Sequence, residues 1–166
     1  MEIDWYIGPR SKLRHLFELA EDSQRQLDEY IEHGRVLVAR RGPVVLGHLQ
    51  LLLAGQTGEI ELKNMAVLPD QRGTGVGRAL VESALHRSKA EGWSRMVVAT
   101  AAADIGNLRF YQRVRFRMLR VERDAFTAKT GYPDAILIDG IPLLDRLWLS
   151  QELTDDLGGS RVSPLR

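Results

Sequence analysis

The chain has 166 residues, 44% hydrophobic and 27% charged, with no cysteine and 23 Lys+Arg against 22 Asp+Glu. That suits one globular domain able to bury roughly 70% of its unfolded surface, and it excludes disulfide frameworks, thiolate zinc sites and cysteine nucleophiles. A net charge of +1 argues against a nucleic-acid binder, and no apolar run approaches the ~20 residues of a membrane span. The opening Met-Glu-Ile-Asp-Trp does not read as a signal peptide, and the absent cysteines fit a reducing cytoplasm.

The alternation of Ile3, Trp5 and Ile7 predicts a strand over residues 2–7, ended by Gly8-Pro9. Leu13, Leu16, Phe17 and Ala20 then recur at helical spacing, with Ser11 as candidate N-cap. A second short helix carries Leu27, Tyr30 and Ile31 and ends at Gly34. Residues 35–40 and Val44–Leu53 read as a hairpin around Arg41-Gly42-Pro43, and Glu59–Val67 as a further strand closed by Pro69-Asp70. From Gly75 a long amphipathic helix turns Val76, Ala79, Leu80, Ala84 and Leu85 inward and ends at Gly92. Residues 95–100 suit a strand covered on both faces, so strand, helix and strand form one crossover with two parallel strands. A short helix over 107–113 and a strand from Phe116 follow. Residues 135–138 and 141–149 read as a hairpin on Asp139-Gly140. The aperiodic residues 154–166 read as a flexible tail after one domain over 1–153. The fold class is therefore mixed α/β (α+β): a mostly antiparallel sheet of about six to seven strands, flanking helices and one parallel β-α-β crossover.

The most informative stretch is Gln71-Arg72-Gly73-Thr74-Gly75-Val76-Gly77-Arg78, between a strand and the long helix. A helix N-terminus offers unbonded N–H groups and partial positive charge, and glycines let an anion approach them. The stretch lacks Gly-Lys-Ser/Thr, which excludes a P-loop, and Arg78 breaks the dinucleotide pattern Gly-x-Gly-x-x-Gly. It does match Arg/Gln-x-x-Gly-x-Gly/Ala at Arg72, Gly75 and Gly77.

On these residues the sequence resembles the GNAT superfamily of N-acetyltransferases, which bind acetyl-CoA at this loop. Residues 61–69 resemble the family's preceding strand, and 107–116 its later Asn-x-x-x-Tyr-x-x-x-Gly-Phe segment, with Arg115 in place of the glycine. The resemblance covers residues 59–116 well and is weaker on either side. It implies a GNAT-like sheet and an acetyl-CoA-dependent acyltransferase; His15, His33, His48 and His86 show no metal spacing, so no metal is expected. It implies a CoA site along Met65, Ala66, Val67, Arg72, Gly73, Thr74, Gly75, Val76, Gly77, Arg78, Asn107 and Tyr111. It also implies that the strand carrying Met65–Val67 splays from its parallel neighbour and offers backbone to the pantetheine arm and the carbonyl oxygen.

Acetyl transfer to an amine needs a base for the nucleophile and a proton donor for the leaving thiolate. The resemblance points to Glu61 as base. Glu59, on the same strand face, is the reserve, and both also fit as solvent-facing strand residues. Tyr111 is the candidate acid, sharing a helix face with Asn107; packing beside Phe110 is its other reading. If the Arg115 turn needs positive φ, that residue is strained by about 1 kcal/mol. The arginines 109, 113, 115, 117, 120 and 123 read as a solvated face, with Arg113 a candidate for the CoA 3′-phosphate. His48 reads as an acceptor-pocket or structural residue. Glu59, Glu61, Asp134 and Asp139 suggest an acidic acceptor side.

The function expected is N-acetyl transfer from acetyl-CoA to a primary amine by direct attack in a ternary complex, the alternative being a non-catalytic acyl-CoA sensor. The expected partner is a small-molecule or peptide amine, with neither nucleic acid nor membrane; a homodimer is left open.

Overall fold

A computed structural model describes residues 1–154. Its main sheet contains β1 (Glu2–Trp5), β2 (Arg35–Arg41), β3 (Val44–Leu53), β4 (Glu59–Val67), β5 (Arg95–Ala101), β6 (Arg117–Glu122) and, after a small separate hairpin of β7 (Leu137–Ile138) and β8 (Ile141–Pro142), β9 (Arg146–Glu152). The strand order is β1-β2-β3-β4-β5-β9-β6, and only β4 and β5 pair in parallel. The helices are α1 (Arg14–Phe17), α2 (Gln24–Tyr30), α3 (Val76–Ala90) and α4 (Ile105–Arg113). Among the described residues no helix is long and apolar enough to cross a membrane.

Each sheet face has its own core. Leu49, Leu51, Ile60, Leu62, Met96 and Val98 pack with Val76, Leu80, Val81 and Ala84 of α3, with Tyr111 of α4 and with Val114 just after it. On the other face Val36 and Val38 pack with Leu16 and Phe17 of α1 and with Leu27 and Tyr30 of α2.

The first helix departs from its expected form. Pro9 opens a single 3-10 turn, Arg10–Leu13, with no side-chain cap, so Ser11 does not act as N-cap; α1 itself is one turn. A cap does occur on α2, where the Ser23 hydroxyl accepts from the Gln26 N–H.

The late hairpin differs more. Asp139 and Gly140 do turn the chain, with φ of 48° and 80°, but they join only the two-residue strands β7 and β8. The expected strand over 141–149 breaks at Pro142, and β9 starts at Arg146. It inserts between β5 and β6 and pairs antiparallel with both. β6 is thus the sheet edge, where Met118 and Val121 are exposed beside Arg117 and Arg120. The expected tail lies, beyond Thr154, outside the described residues.

A bulge in β4 positions the site. Gln50 pairs with Asn64 and Leu51 with Leu62, which leaves Lys63 as the extra residue. One inserted residue swaps the faces of everything beyond it. Ile60 and Leu62 face the α3 core, and after the bulge so do Met65 and Val67. Asn64 instead faces the α1–α2 side, where it donates to the Phe17 carbonyl and the Tyr30 hydroxyl.

Candidate active site

β4 and β5 share a parallel ladder only from Glu59↔Arg95 to Leu62↔Val98. Past that point β4 continues to Val67 and β5 to Ala101, with no pairing between them. The sheet opens into a V, and residues 63–67 keep an unpaired edge toward β5.

A groove of about 770 Å³ follows this edge. Met65, Ala66, Val67, Arg72, Gly73, Gly75, Gly77, Arg78 and Asn107 all line it. Gly75 caps α3 with φ 91°, and Gly73 has φ 76°, a backbone region that side chains resist. Cβ atoms built at either would meet no protein atom within 4 Å, so both glycines face open space. The first helical bond runs from the Ala79 N–H to the Gly75 carbonyl, leaving the N–H groups of Val76, Gly77 and Arg78 without helical partners. Arg72 Nε reaches back to the Val67 carbonyl at 3.4 Å, and Arg78 pairs with Glu82 at 2.9 Å. Open space at unbonded helix-end N–H groups, with partial positive charge, is an arrangement that can receive a phosphate-bearing group.

Three predicted groove residues do not line it with their side chains. Val76 is buried in the α3 core and does not line the groove. The Thr74 hydroxyl donates to the Gln71 carbonyl at 2.7 Å and closes the turn. Tyr111 lies in the adjoining cavity. Phe110 does line the groove, and a Cβ at Gly77 would contact its ring at 3.6 Å. Gln71 and Gly106 of α4 also contribute, as do residues 19–20 and 22, brought there by the α1–α2 connection, which the motif does not include.

The second cavity, of about 210 Å³, occupies the V and meets the groove at Met65, Asp104 and Asn107. Its walls include Glu61, Asn64, Thr100 and Tyr111, with Glu21 and Tyr30 from the N-terminal segments and Phe126, Tyr132 and Leu143 from the β6–β9 connection. Tyr111 is 6% exposed, edge-on to Phe110 and Phe116. Burial, with a smaller contribution from the Asp104 charge, raises its phenol above the ordinary value, so it stays protonated at neutral pH. Asn107, one turn earlier, donates to Thr100 Oγ1 at 3.4 Å.

Glu61 lines this cavity, and Lys63 Nζ lies 3.6 Å from its carboxylate. Glu59 does not reach the cavity; it pairs with Arg95 at 3.0 Å, which also binds Glu152 at 2.6 Å. Asp134 and Asp139 are exposed outside it; the acids that do line it are Glu21, Asp22, Glu61 and Asp104. Arg113 is exposed on the outer side of α4, away from the groove lining.

His48 is fully buried, its ring centroid 4.1 Å from that of Phe17, and does not line the cavity. The Phe17 carbonyl can only accept, which fixes the Asn64 amide; Asn64 Oδ1 therefore accepts from His48 Nε2–H at 2.9 Å. Burial lowers the His48 pKa to about 3, against the Asn64 hydrogen bond and helped by His15 and Arg10, so the ring is neutral. Arg115 adopts φ 73°, so the position where the motif carries glycine does need the left-handed region. Among the described residues no group of three or more His, Asp or Glu is placed to hold a metal.

Comparison with known proteins gives a consistent result. The model of the Acetyltransferase (GNAT) family matches residues 4–116. An uncharacterized N-acetyltransferase, YvbK, of Bacillus subtilis is 30% identical over 142 residues, covering 86% of this chain and 90% of the relative. A Bacillus subtilis acetyltransferase solved in complex with CoA superposes with a TM-score of 0.83 at 28% identity, covering 92% of this chain and 98% of that one. A GNAT family acetyltransferase from Elizabethkingia anophelis with acetyl-CoA bound gives 0.79 at 25% identity, covering 90% and 97%.

Proposed function

The chain belongs to the Acetyltransferase (GNAT) family, and from that premise we propose that it moves an acetyl group from acetyl-CoA to a primary amine by direct attack in a ternary complex. The observation that carries this reading is the junction at Met65 and Asn107, where a groove ending on the α3 N-terminus opens into a cavity holding a carboxylate and a protonated phenol. The groove fits CoA: Gly73 and Gly75 leave room at free N–H groups, and residues 63–67 keep an unpaired backbone edge. The CoA-bound relatives support the same assignment.

Acetyl-CoA, when bound, supplies an acyl thioester with a thiolate leaving group. The N–H groups of residues 76–78, with Arg72 and Arg78, hold phosphate. The unpaired edge of β4 would offer backbone groups to amides along the arm, and an N–H near Met65–Val67 would stabilise the acyl oxygen. Glu61 accepts the proton of the incoming ammonium, because only about one lysine-like amine in a few thousand is neutral at pH 7. Tyr111 donates its phenol proton to the departing sulfur. The chain has no cysteine, so the acyl group cannot rest on an enzyme thiol. The acceptor is a small-molecule or peptide amine whose amino end enters the cavity of about 210 Å³. A cysteine-free chain also suits the cytoplasm.

The test pairs CoA titration with thiol release from acetyl-CoA over an amine panel. Binding with turnover on at least one amine is expected. Binding without turnover on any amine would leave a non-catalytic CoA sensor.

A further inference from the structure

The walls of the acceptor cavity are unequally charged. Lys63 is matched by Glu61, and Arg146 by Glu122 at 3.3 Å. Glu21 has no basic partner among the described residues, although three neutral donors hold it. Its Oε1 accepts from the Ser23 N–H at 3.1 Å and the Tyr132 hydroxyl at 3.4 Å; its Oε2 accepts from the Tyr30 hydroxyl at 3.3 Å.

These bonds form a chain with one direction. Neutral His48 donates to Asn64 Oδ1, Asn64 donates to the Tyr30 oxygen at 2.9 Å, and the Tyr30 hydroxyl therefore donates its own hydrogen bond to Glu21. An ionised carboxylate accepts all three donors at once. The chain is rooted in the fully buried His48 and the 4% exposed Asn64, so core packing holds the charge in place. Tyr132 brings the β6–β9 connection over the cavity, and Gln26 Nε2 ties the same segment through the Thr130 carbonyl at 3.2 Å.

A carboxylate fixed in a small cavity without a counter-ion attracts a cation. That cation is not the reacting nitrogen, which the acetyl-transfer reading places at Glu61 beside Tyr111, whereas Glu21 is held by Ser23, Tyr30 and Tyr132 on the N-terminal side of the cavity. We propose that the acceptor is a compact aliphatic amine with a second, permanently protonated nitrogen, and that Glu21 selects it. The proposal rests on the acetyl-transfer reading above. Glu21 acts in binding; Glu61 and Tyr111 act on the reacting atoms.

The test compares 1,4-diaminobutane, butylamine and 4-aminobutanoate as acceptors, with wild type and Glu21→Gln. One charge-assisted contact corresponds to a preference of roughly 10- to 100-fold, so wild type should favour the diamine over butylamine by about 30-fold in kcat/KM. The aminobutanoate should be the poorest acceptor. Glu21→Gln should lose most of the preference through KM for the diamine. CoA titration and the thermal midpoint report the fold of the variant, because Glu21 does not line the CoA groove. Equal use of diamine and butylamine by wild type, or an unchanged preference in Glu21→Gln, would overturn the proposal. A milder variant, Tyr132→Phe, removes one donor and should reduce the preference by a smaller factor. Absence of thiol release with every amine of the wider panel would overturn acetyl transfer itself, and the proposal with it.

Discussion

His48 offers a quantitative check on the buried polar chain. Its folded pKa is about 3, against 6.5 for an exposed imidazole. Between those values the unfolded state binds a proton that the folded state refuses. Stability from this residue is therefore full above about pH 6.5 and declines as pH falls toward 3. A shift of this size makes pH 5 less favourable than pH 7 by about 2 kcal/mol through His48 alone. The physical cause is local: the ring lies tilted against Phe17, donates once to Asn64, and has no partner at Nδ1 among the described residues. Urea unfolding at pH 7 and pH 5, for wild type and His48→Gln, isolates this contribution. Wild type should lose about 2 kcal/mol more than the variant on acidification. A difference below about 0.5 kcal/mol would refute the reasoning, since it would mean that the folded site accepts a proton as readily as the unfolded chain.

Three further outcomes follow from the site and the turn beside it. Gly75→Asp should weaken CoA binding by about 10³-fold in a titration, because two like charges near 4 Å repel by about 4 kcal/mol at an effective dielectric of 20; unchanged affinity would remove the phosphate cradle. Tyr111→Phe should lower turnover by about 10²-fold while CoA affinity holds, and an unchanged rate across the pH range would make it a packing residue. Arg115→Gly should stabilise by about 0.5–1 kcal/mol, since relief of a left-handed side chain outweighs the added freedom of glycine in the unfolded chain. Calorimetry should show a rise of about 1–4 °C, which Arg115→Ala should not reproduce.

The phosphate loop and the strand order around it were legible because their determinants are local. Gly73 and Gly75 stand where positive φ is needed, Val76 and Leu80 begin a helical stripe, and Pro69 stops a strand. The same local rule exposed Arg115 as a strained substitute for glycine. The acceptor side was not legible, because its geometry depends on partners far apart in sequence.

Periodicity alone places Glu61 and Val67 on one face of β4, yet the bulge at Lys63 puts them on opposite faces. That bulge depends on register against β3, which one strand cannot encode alone. The resemblance alone sets Glu61 ahead of Glu59; the fold separates them physically, giving Arg95 to Glu59 and the cavity to Glu61. Glu21 and Tyr132 are 111 residues apart and carry no shared motif. The insertion of β9 between β5 and β6 carries the connection that holds Tyr132 over the site. The sequence by itself thus determined the anion cradle, the helix behind it and the family. Only the tertiary structure decided which carboxylates line the cavity, because that choice depends on strand register, a bulge and long-range hydrogen bonds.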